Sequence, residues 1–463
     1  MCTVYISYGP YIISPADRQD FIIVSKRLAR ENKEESAFGT MAYNPVHATV
    51  VEDGSAWSNA ALVVISADGS GWACSKCTLS NSSALDRCDA CGAARARSAA
   101  AEIPTAPLAP AAEKPVIAAE MKQRLSENMP RGLVNVVAKA AQDCAIRYWI
   151  VDNSGSMSIG DGKRFVTDPR SSVKGMRKQV SCSRWEELSE TLRWVAKTAT
   201  LLRARTEFRF LNPPTGAPQV IVVGAGDGEN DVAAQGALER ALASGPAGGT
   251  PLCASLAGVV TEVRASASAL RSSGRTAVVV VASDGEASDG DLGRALAPLV
   301  GQPASVVVRL CTDDERVVEY WNDIDGDLEL ELDVLDDLSG EGAEVHAHNS
   351  WVAYGEALHR AREWGGSPKE LDWLDERPLS PPEAQRLVEF ILGPFNSSLQ
   401  LDPDAFLGEL DDALGTVVEV FDADTGQCRP WIDQRGLVRC VLKRGLSIQD
   451  ICSRGPGPGC AVS

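Results

Sequence analysis

The sequence predicts an α/β fold built on a doubly wound, mostly parallel β-sheet, and three observations support this prediction. Residues 146–151 and 276–283 are short apolar runs rich in β-branched side chains, as is typical of buried strands. Apolar residues spaced four and three apart from 188 to 202 predict a helix between them. Strand-like and helix-like segments then alternate up to residue 335, which places helices on both faces of a parallel sheet. We expect this sheet within residues 129–348.

The composition limits the classes of protein to which this chain can belong. Its 463 residues are enough for two or three domains, and an apolar content of 44% allows a sizeable core. The formal net charge of −18 argues against a general nucleic-acid-binding protein. No run approaches the roughly 20 apolar residues of a membrane span, and the N-terminus lacks a signal-peptide pattern. The thirteen cysteines are scattered and fit reduced thiols, so we expect a cytoplasmic or nuclear protein.

Residues 1–68 form an N-terminal region whose fold the sequence does not reveal. Residues 5–13 and 61–65 have the composition of strands, and residues 21–30 are expected to form a short helix. This region contains no motif with recognisable chemistry.

Residues 69–95 contain two cysteine pairs, Cys74 with Cys77 and Cys88 with Cys91, each separated by two residues. Each pair offers two thiolates on one side of a turn, and four thiolates at about 2.3 Å form a tetrahedral zinc site. A segment this short has no apolar core, so zinc would supply most of its folding free energy. The spacing therefore predicts a structural Zn²⁺ and disfavours two chance pairs in a loop.

With Trp72 and Asn81 at fixed positions, this segment resembles the Ran-binding-protein (nucleoporin) type of zinc finger, W-x-C-x₂-C-x₃-N-x₆-C-x₂-C. The resemblance implies binding of either ubiquitin or single-stranded RNA.

The residues that decide between these two ligands follow the second cysteine and lie between the last two cysteines. Ubiquitin-binding members of the family carry Thr-Phe and often Met there, and this chain has Thr78, Leu79 and Ala90. RNA-binding members place an aromatic ring after the Asn, where this chain has Ser82. We favour a protein partner at Thr78, Leu79 and Ala90, with ubiquitin as the candidate. RNA binding and a purely structural finger are the alternatives.

Residues 96–128 are rich in Ala, Pro and Glu and show no period, so they are expected to form a linker. The finger and the following domain should then move independently.

The strand at 146–151 ends in a loop that carries three hard oxygen donors, Asp152, Ser154 and Ser156. Carboxylate and hydroxyl oxygens suit Mg²⁺, Ca²⁺ or Mn²⁺ better than zinc. Asp and Ser are also ordinary residues of turns and helix N-caps, so this motif is weak by itself.

Two later positions strengthen the prediction of a metal site. Thr250 lies in a Gly-rich loop before a helix, and Asp284 follows the second buried strand. At this point residues 129–348 resemble the von Willebrand factor A family, which has a Rossmann-like fold and a metal-ion-dependent adhesion site. The resemblance implies that Ser154, Ser156 and Thr250 contact the cation, while Asp152 and Asp284 act through water. The cofactor would be Mg²⁺, or else Mn²⁺ or Ca²⁺.

The acidic and histidine-containing segments that follow are expected to lie at the surface. Asp323, Asp325 and Asp327 do not fit the register of a calcium loop and are expected in a solvated turn. His346 and His348 are expected on an extended segment.

Residues 349–450 are expected to form an α+β region with helices at 381–392 and 403–414 and strands at 416–422 and 430–442. Neither family resemblance covers this region.

Residues 451–463 form a tail that ends in Cys460-Ala461-Val462-Ser463, a C-a-a-X pattern for farnesylation of Cys460. A single prenyl chain gives only marginal membrane binding, so a membrane partner is expected only if Cys460 is modified.

Together these patterns favour an adaptor that binds proteins over an enzyme. The cation would leave one coordination position open for a carboxylate of the partner, and the finger would add a second contact on a flexible linker. The alternatives are a metal-dependent hydrolase or phosphotransfer enzyme, and RNA binding through the finger. The sequence has no G-x₄-G-K-[ST] phosphate loop and no G-x-S-x-G motif, so we expect no catalytic residues.

Overall fold

The structure is a computed structural model that describes residues 117–126, 129–167, 177–226, 228–312, 314–365 and 368–442. Before residue 83 it describes seven strands by their backbone. The chain divides into two compact units, Met1–Pro104 and Thr105–Ser463.

The first unit contains a five-stranded antiparallel sheet and a short hairpin. The sheet comprises β1 (Ile6–Ser7), β2 (Tyr11–Asp17), β3 (Asp20–Ser25), β4 (Ala48–Glu52) and β5 (Ala61–Ser66). The hairpin pairs β6 (Gly71–Ala73) with β7 (Ser80–Ser82). The helix expected at 21–30 is wrong where it overlaps β3, which pairs with β2 and β5. The consecutive β-branched residues of β3 favour an extended backbone.

The second unit is organised around a six-stranded sheet. Its strands, with those of two hairpins, are β8 (Cys144–Val151), β9 (Gly162–Thr167), β10 (Arg177–Cys182), β11 (Thr206–Phe210), β12 (Val220–Val223), β13 (Thr276–Ser283), β14 (Ala304–Leu310), β15 (Leu332–Leu335), β16 (Val420–Phe421) and β17 (Cys428–Arg429). The order in the sheet is β12-β11-β8-β13-β14-β15, and only β11–β12 is antiparallel among these pairs. This confirms the predicted mostly parallel sheet.

Thirteen α-helices accompany this sheet in the described residues. They are α1 (Ala119–Ser126), α2 (Arg131–Asp143), α3 (Arg184–Leu202), α4 (Gly228–Ala243), α5 (Leu252–Ser273), α6 (Leu292–Leu296), α7 (Glu315–Asp327), α8 (Leu338–Asn349), α9 (Glu356–Glu363), α10 (Lys369–Glu376), α11 (Pro381–Leu392), α12 (Pro403–Leu414) and α13 (Gln434–Cys440). None of these helices is both long and apolar enough to cross a membrane.

Each face of the sheet has its own apolar core, because successive strand residues point to opposite sides. In β8, Trp149 and Val151 lie in one core, and Tyr148 and Ile150 lie in the other. Helices α5, α6 and α7 cover the face of Tyr148. Helices α2, α3 and α4 cover the face of Trp149, together with residues 351–442, which we call the C-terminal layer.

The C-terminal layer shares its core with the sheet. Arg147 of β8 is fully buried, and its Nε donates to the carbonyl of Trp364 at 2.9 Å. The guanidinium carbon of Arg147 lies 4.0 Å from the centre of the Trp364 ring. At Gly365, where φ is +75°, a Cβ atom would lie 2.5 Å from Cγ1 of Val278 in β13. The backbone of the layer therefore approaches the sheet more closely than a side chain would allow.

Two expected features of the acidic and histidine-containing segments are wrong. Asp323 and Asp325 lie in helix α7, because its apolar residues Trp321 and Ile324 are three apart and pack into the core. His346 lies in the last turn of helix α8, where its Nδ1 is 3.2 Å from Oδ2 of Asp424.

Two further segments differ from expectation. Residues 434–440, expected in a strand, form α13, because the side chain of Asp433 accepts a hydrogen bond from the amide of Arg435 and caps the helix. Helix α1 lies within the expected linker, and its residue Leu125 packs into the core beside the sheet.

Candidate metal centre at the carboxyl edge of the sheet

Asp152 and Asp284 directly follow the adjacent parallel strands β8 and β13. In the order of this sheet, chain connections run in opposite directions from these two strands, and ligands bind at such a point in open α/β sheets. The amide of Asp152 donates to the carbonyl of Ala282 at 2.9 Å, so the loop after β8 remains attached to β13.

The carboxylate of Asp152 is fully buried and is held by two neighbours. Its Oδ2 accepts a hydrogen bond from Oγ of Ser283 at 2.6 Å, and its Oδ1 accepts one from the amide of Ser154 at 2.8 Å. Burial raises the pKa of the Asp152 carboxyl, and the charge of Asp284 acts in the same direction, whereas the hydrogen bonds from Ser283 and Ser154 lower it.

The predicted donor residues form a continuous row of oxygen atoms. Oγ of Ser154 lies 3.0 Å from Oγ of Ser156, which donates to Oδ1 of Asp284 at 2.9 Å. Ser154 and Asp284 are buried, whereas Ser156 is exposed. We call Asp152, Ser154, Ser156 and Asp284 the switch-point site; Ser156, in the middle of the row of oxygen atoms, reaches solvent.

The Gly-rich loop that carries Thr250 borders the switch-point site. The amide of Gly155 donates to the carbonyl of Gly248 at 3.1 Å, and the amide of Ala247 donates to that of Asn153 at 2.7 Å. The carbonyl of Thr250 accepts from the amide of Ser288 at 2.9 Å, in the loop that follows Asp284. The structure thus brings the backbone of Thr250 between the loops that carry the other four predicted residues.

The chemistry of these donors fits a small divalent cation. Mg²⁺ binds oxygen ligands at about 2.0–2.1 Å in an octahedron, where neighbouring ligands are about 2.9 Å apart. The oxygen pairs Ser154–Ser156 and Ser156–Asp284 have separations of 3.0 and 2.9 Å. When bound, such a cation would offer an open coordination position to an anionic oxygen.

Two charged residues beside the site were not predicted from the sequence. Arg184, at the start of α3, donates from Nη1 to Oδ2 of Asp284 at 2.8 Å. The same guanidinium donates from Nε and Nη2 to Asp161 at 2.7 and 2.5 Å. Arg184 is 100 residues from Asp284 in sequence, and no local pattern signals such a contact.

Ser283 and Asn153 also contact the site or its loops, and the sequence motifs do not include them. Asn153 exchanges hydrogen bonds with the backbone of Asn212, at 2.8 Å for each, and so positions the loop after β11. Both residues directly adjoin predicted ones, so inspection of the positions next to each aspartate could have identified them.

In the zinc-finger segment, the hairpin register pairs Trp72 with Asn81. The cysteines Cys74, Cys77, Cys88 and Cys91 and the expected partner-binding residues Thr78, Leu79 and Ala90 lie outside the described residues. Cys460 also lies outside them.

Comparison with known proteins identifies the finger. Residues 69–96 match the family described as Zn-finger in Ran binding protein and others. This confirms the predicted zinc-finger type and supports a structural Zn²⁺ in this segment.

No curated protein matches this chain. Twenty chains of solved structures are similar, and one of them is von Willebrand factor type A from Catenulispora acidiphila. That match has 14% identity and a TM-score of 0.26, covering 48% of this chain and 41% of the other. The chain therefore spans less than half of that protein, and a likeness this low says nothing about function.

Proposed function

We propose that this protein is an adaptor that binds a partner through a divalent cation at the switch-point site, with the zinc finger as a second contact. The observation that carries the proposal is that Ser156 lies within hydrogen-bond distance of both Ser154 and Asp284, although Asp284 lies 128 residues from Ser156. Ser154, Ser156 and Thr250 would hold the cation directly, and Asp152 and Asp284 would hold it through water. The partner would supply a carboxylate.

The surroundings of the two aspartates support binding over catalysis. Their carboxylates accept hydrogen bonds from serines, a backbone amide and Arg184, so the positions of both are fixed by neighbouring groups. A general base beside Ser154 or Ser156 would be needed for nucleophilic catalysis. The carboxylate beside Ser156 is that of Asp284, which already accepts a hydrogen bond from Arg184. Of the three histidines in the described residues, His346 contacts Asp424, His359 is buried beside Tyr354, and His348 is exposed.

The zinc finger supports the same function at a second point. Ubiquitin is the partner we propose for it, through Thr78, Leu79 and Ala90. For a partner that carries both the carboxylate and ubiquitin, the second binding event is intramolecular, so the overall affinity rises.

The Ser156→Ala substitution tests the cation site. We expect it to weaken Mn²⁺ binding, measured by electron paramagnetic resonance on the zinc-loaded chain, by about tenfold or more, because it removes one ligand oxygen. Ser156 is exposed, so the melting temperature should change little. Ser158→Ala, an exposed serine in the same turn, is the matched control and should bind Mn²⁺ normally. Equal Mn²⁺ binding by the two variants would rule out the proposed site.

The Cys74→Ser substitution tests the finger. We expect loss of one zinc ion per chain, measured by mass spectrometry of the native protein, because a three-thiolate site binds zinc much more weakly. Cys440→Ser, at an exposed cysteine of α13, is the control. An unchanged zinc content in Cys74→Ser would contradict the ligand assignment.

Binding of partners can be tested in one pull-down with the full chain. We expect Mg²⁺-dependent capture of acidic proteins that Ser156→Ala abolishes, and capture of ubiquitin that Cys74→Ser abolishes. Recovery of RNA in place of ubiquitin would support the alternative ligand of the finger. Full protein capture in excess chelator would contradict a role for the cation.

A further inference from the structure

Arg184 contributes a positive charge next to the switch-point site. It is the first residue of α3, and its amide donates to the carbonyl of Ile159 at 3.0 Å. Ser183 caps this helix in a capping box with Glu186, which fixes the turn from which the Arg184 side chain extends. The side chain of Arg184 is only 11% exposed.

The two carboxylates that Arg184 bridges differ in their access to water. The side chain of Asp284 is 2% exposed, whereas that of Asp161 is 37% exposed. Charges in a buried environment interact more strongly than charges screened by water and salt. Water and salt therefore screen the charge of Asp161 more than that of Asp284, although Arg184 makes two hydrogen bonds to Asp161 and one to Asp284.

Arg184 keeps this charge because an arginine guanidinium is not deprotonated in proteins. Hydrogen bonds from its guanidinium to Asp161, and then to Asp284, raise its pKa above the ordinary value of 12.5 in spite of partial burial. The same guanidinium lowers the pKa of the Asp161 carboxyl. Arg184 is therefore a positively charged group that bridges Asp161 and Asp284.

The net charge of the buried part of the site depends on Arg184. Asp152 and Asp284 contribute two negative charges, and Arg184 neutralises one of them. A divalent cation then leaves the buried part of the site with one excess positive charge, which a carboxylate ligand would balance and a neutral oxygen ligand would not. Without Arg184, the cation and the two aspartates would already be neutral together.

We propose that Arg184 is a specificity-determining residue of this site: it weakens binding of the free cation and makes tight binding depend on an anionic ligand. This inference rests on the proposed cation site. Nη1 and Nη2 of Arg184 each carry two N–H groups, and each donates one hydrogen bond, to Asp284 and to Asp161 respectively. The second N–H group of each nitrogen can donate to the incoming carboxylate.

The test measures Mn²⁺ affinity of the zinc-loaded full chain by electron paramagnetic resonance, with excess acetate as the anionic probe and acetamide as its neutral counterpart. In the unsubstituted protein we expect acetate to strengthen Mn²⁺ binding by about fivefold, because coupling between two ligands is reciprocal and typically of this size or larger. Acetamide should have no effect.

Two substitutions are expected to shift this behaviour in opposite directions. Arg184→Gln should bind Mn²⁺ about fivefold more tightly in the absence of acetate, and acetate should add nothing. Asp161→Asn leaves the charge of Arg184 uncompensated on its solvent side, so free Mn²⁺ should bind about two- to threefold more weakly and acetate should strengthen binding more. The exposed position of Asp161 makes this variant a test that does not depend on Arg184→Gln being folded.

Two controls separate charge from other effects. Arg184→Lys retains the charge and should keep the acetate effect, and Arg193→Gln makes the same chemical change on the same helix, at a residue that pairs with Glu239. If Arg184→Gln and Asp161→Asn both match Arg193→Gln, the inference about Arg184 is overturned while the cation site stands. If the unsubstituted protein binds no more Mn²⁺ than Ser156→Ala, the proposed function fails and this inference with it.

Discussion

Carboxylates outnumber positive charges around Arg362, a residue of α9 that is 1% exposed. Its guanidinium donates to Glu341 and Asp375, and to Asp333 at 3.2 Å. Burial raises the pKa of Asp333 and of Glu341 above the ordinary values. Nearby, burial first and the charge of Asp333 second raise the pKa of Asp372 from 3.8 to about 8.

This excess of acid predicts that stability falls with rising pH. A carboxyl whose pKa is raised by folding binds its proton more tightly in the folded state, so its contribution is complete below pH 3.8 and is lost toward pH 8. The side chain of Asn does not ionise, so Asp372→Asn should lose about 1–2 kcal/mol less stability over the same pH range. This is less than the full pKa shift of Asp372 would give, because neighbouring acids share the titration.

Thermal unfolding across this pH window checks the prediction. Asp412→Asn, at an exposed acid of α12, is the matched control and should follow the unsubstituted protein. A melting temperature that rises toward pH 8 in the unsubstituted protein would contradict the prediction.

At the scale of elements, the close approach of the C-terminal layer to β13 at Gly365 is the contact most sensitive to substitution. Gly365→Ala introduces both a left-handed alanine and a clash with Val278, so we expect it to destabilise the fold by about 2–4 kcal/mol. Gly301→Ala also places alanine at positive φ, +71°, but its Cβ meets nothing within 4 Å, so it should cost only about 1 kcal/mol.

Denaturant unfolding of the two variants separates the two causes. The difference between the free energies of unfolding of Gly365→Ala and Gly301→Ala measures the contact between the C-terminal layer and the sheet, since both variants place alanine at positive φ. Equal destabilisation would mean that this contact contributes nothing.

Sequence patterns predicted elements well where the pattern was local and long. The strands that precede Asp152 and Asp284, and the helix that begins at Arg184, were recognised from composition and period, and the capping residue Ser183 marks the start of that helix. The hairpin of β9 and β10 was missed, because its residues lack a clear alternation of apolar and polar side chains. The sequence also could not predict Arg184 as a partner of Asp284, because that contact exists only through tertiary structure.

At the scale of the molecule, residues 349–450 were expected to be a region of their own, and the structure gives most of them a core in common with the sheet. Buried residues Leu358, Leu387 and Phe406 belong to the same apolar cluster as Trp149 of β8. Periodicity indicates that a helix has an apolar face, but it does not indicate which surface covers that face.

The shared core predicts that the sheet does not fold without the C-terminal layer. A chain that ends at residue 348 exposes the apolar face that includes Trp149, so we expect it to aggregate or to lose cooperative unfolding. A chain that ends at residue 442 retains the layer and should unfold in one transition for the second unit. Circular dichroism and calorimetry distinguish these outcomes, and a cooperative, monomeric 348-residue product would refute the prediction.

The loops of the switch-point site are fastened to one another by backbone hydrogen bonds, such as those from Gly155 to Gly248 and from Ala247 to Asn153. Gly248 takes a left-handed conformation, φ +98°, against Asn212, where a side chain would not fit. The proposed cation would therefore meet a preorganised site and would not need to order any loop. The rate at which that cation binds would then be set by dehydration of the ion and not by the movement of a loop.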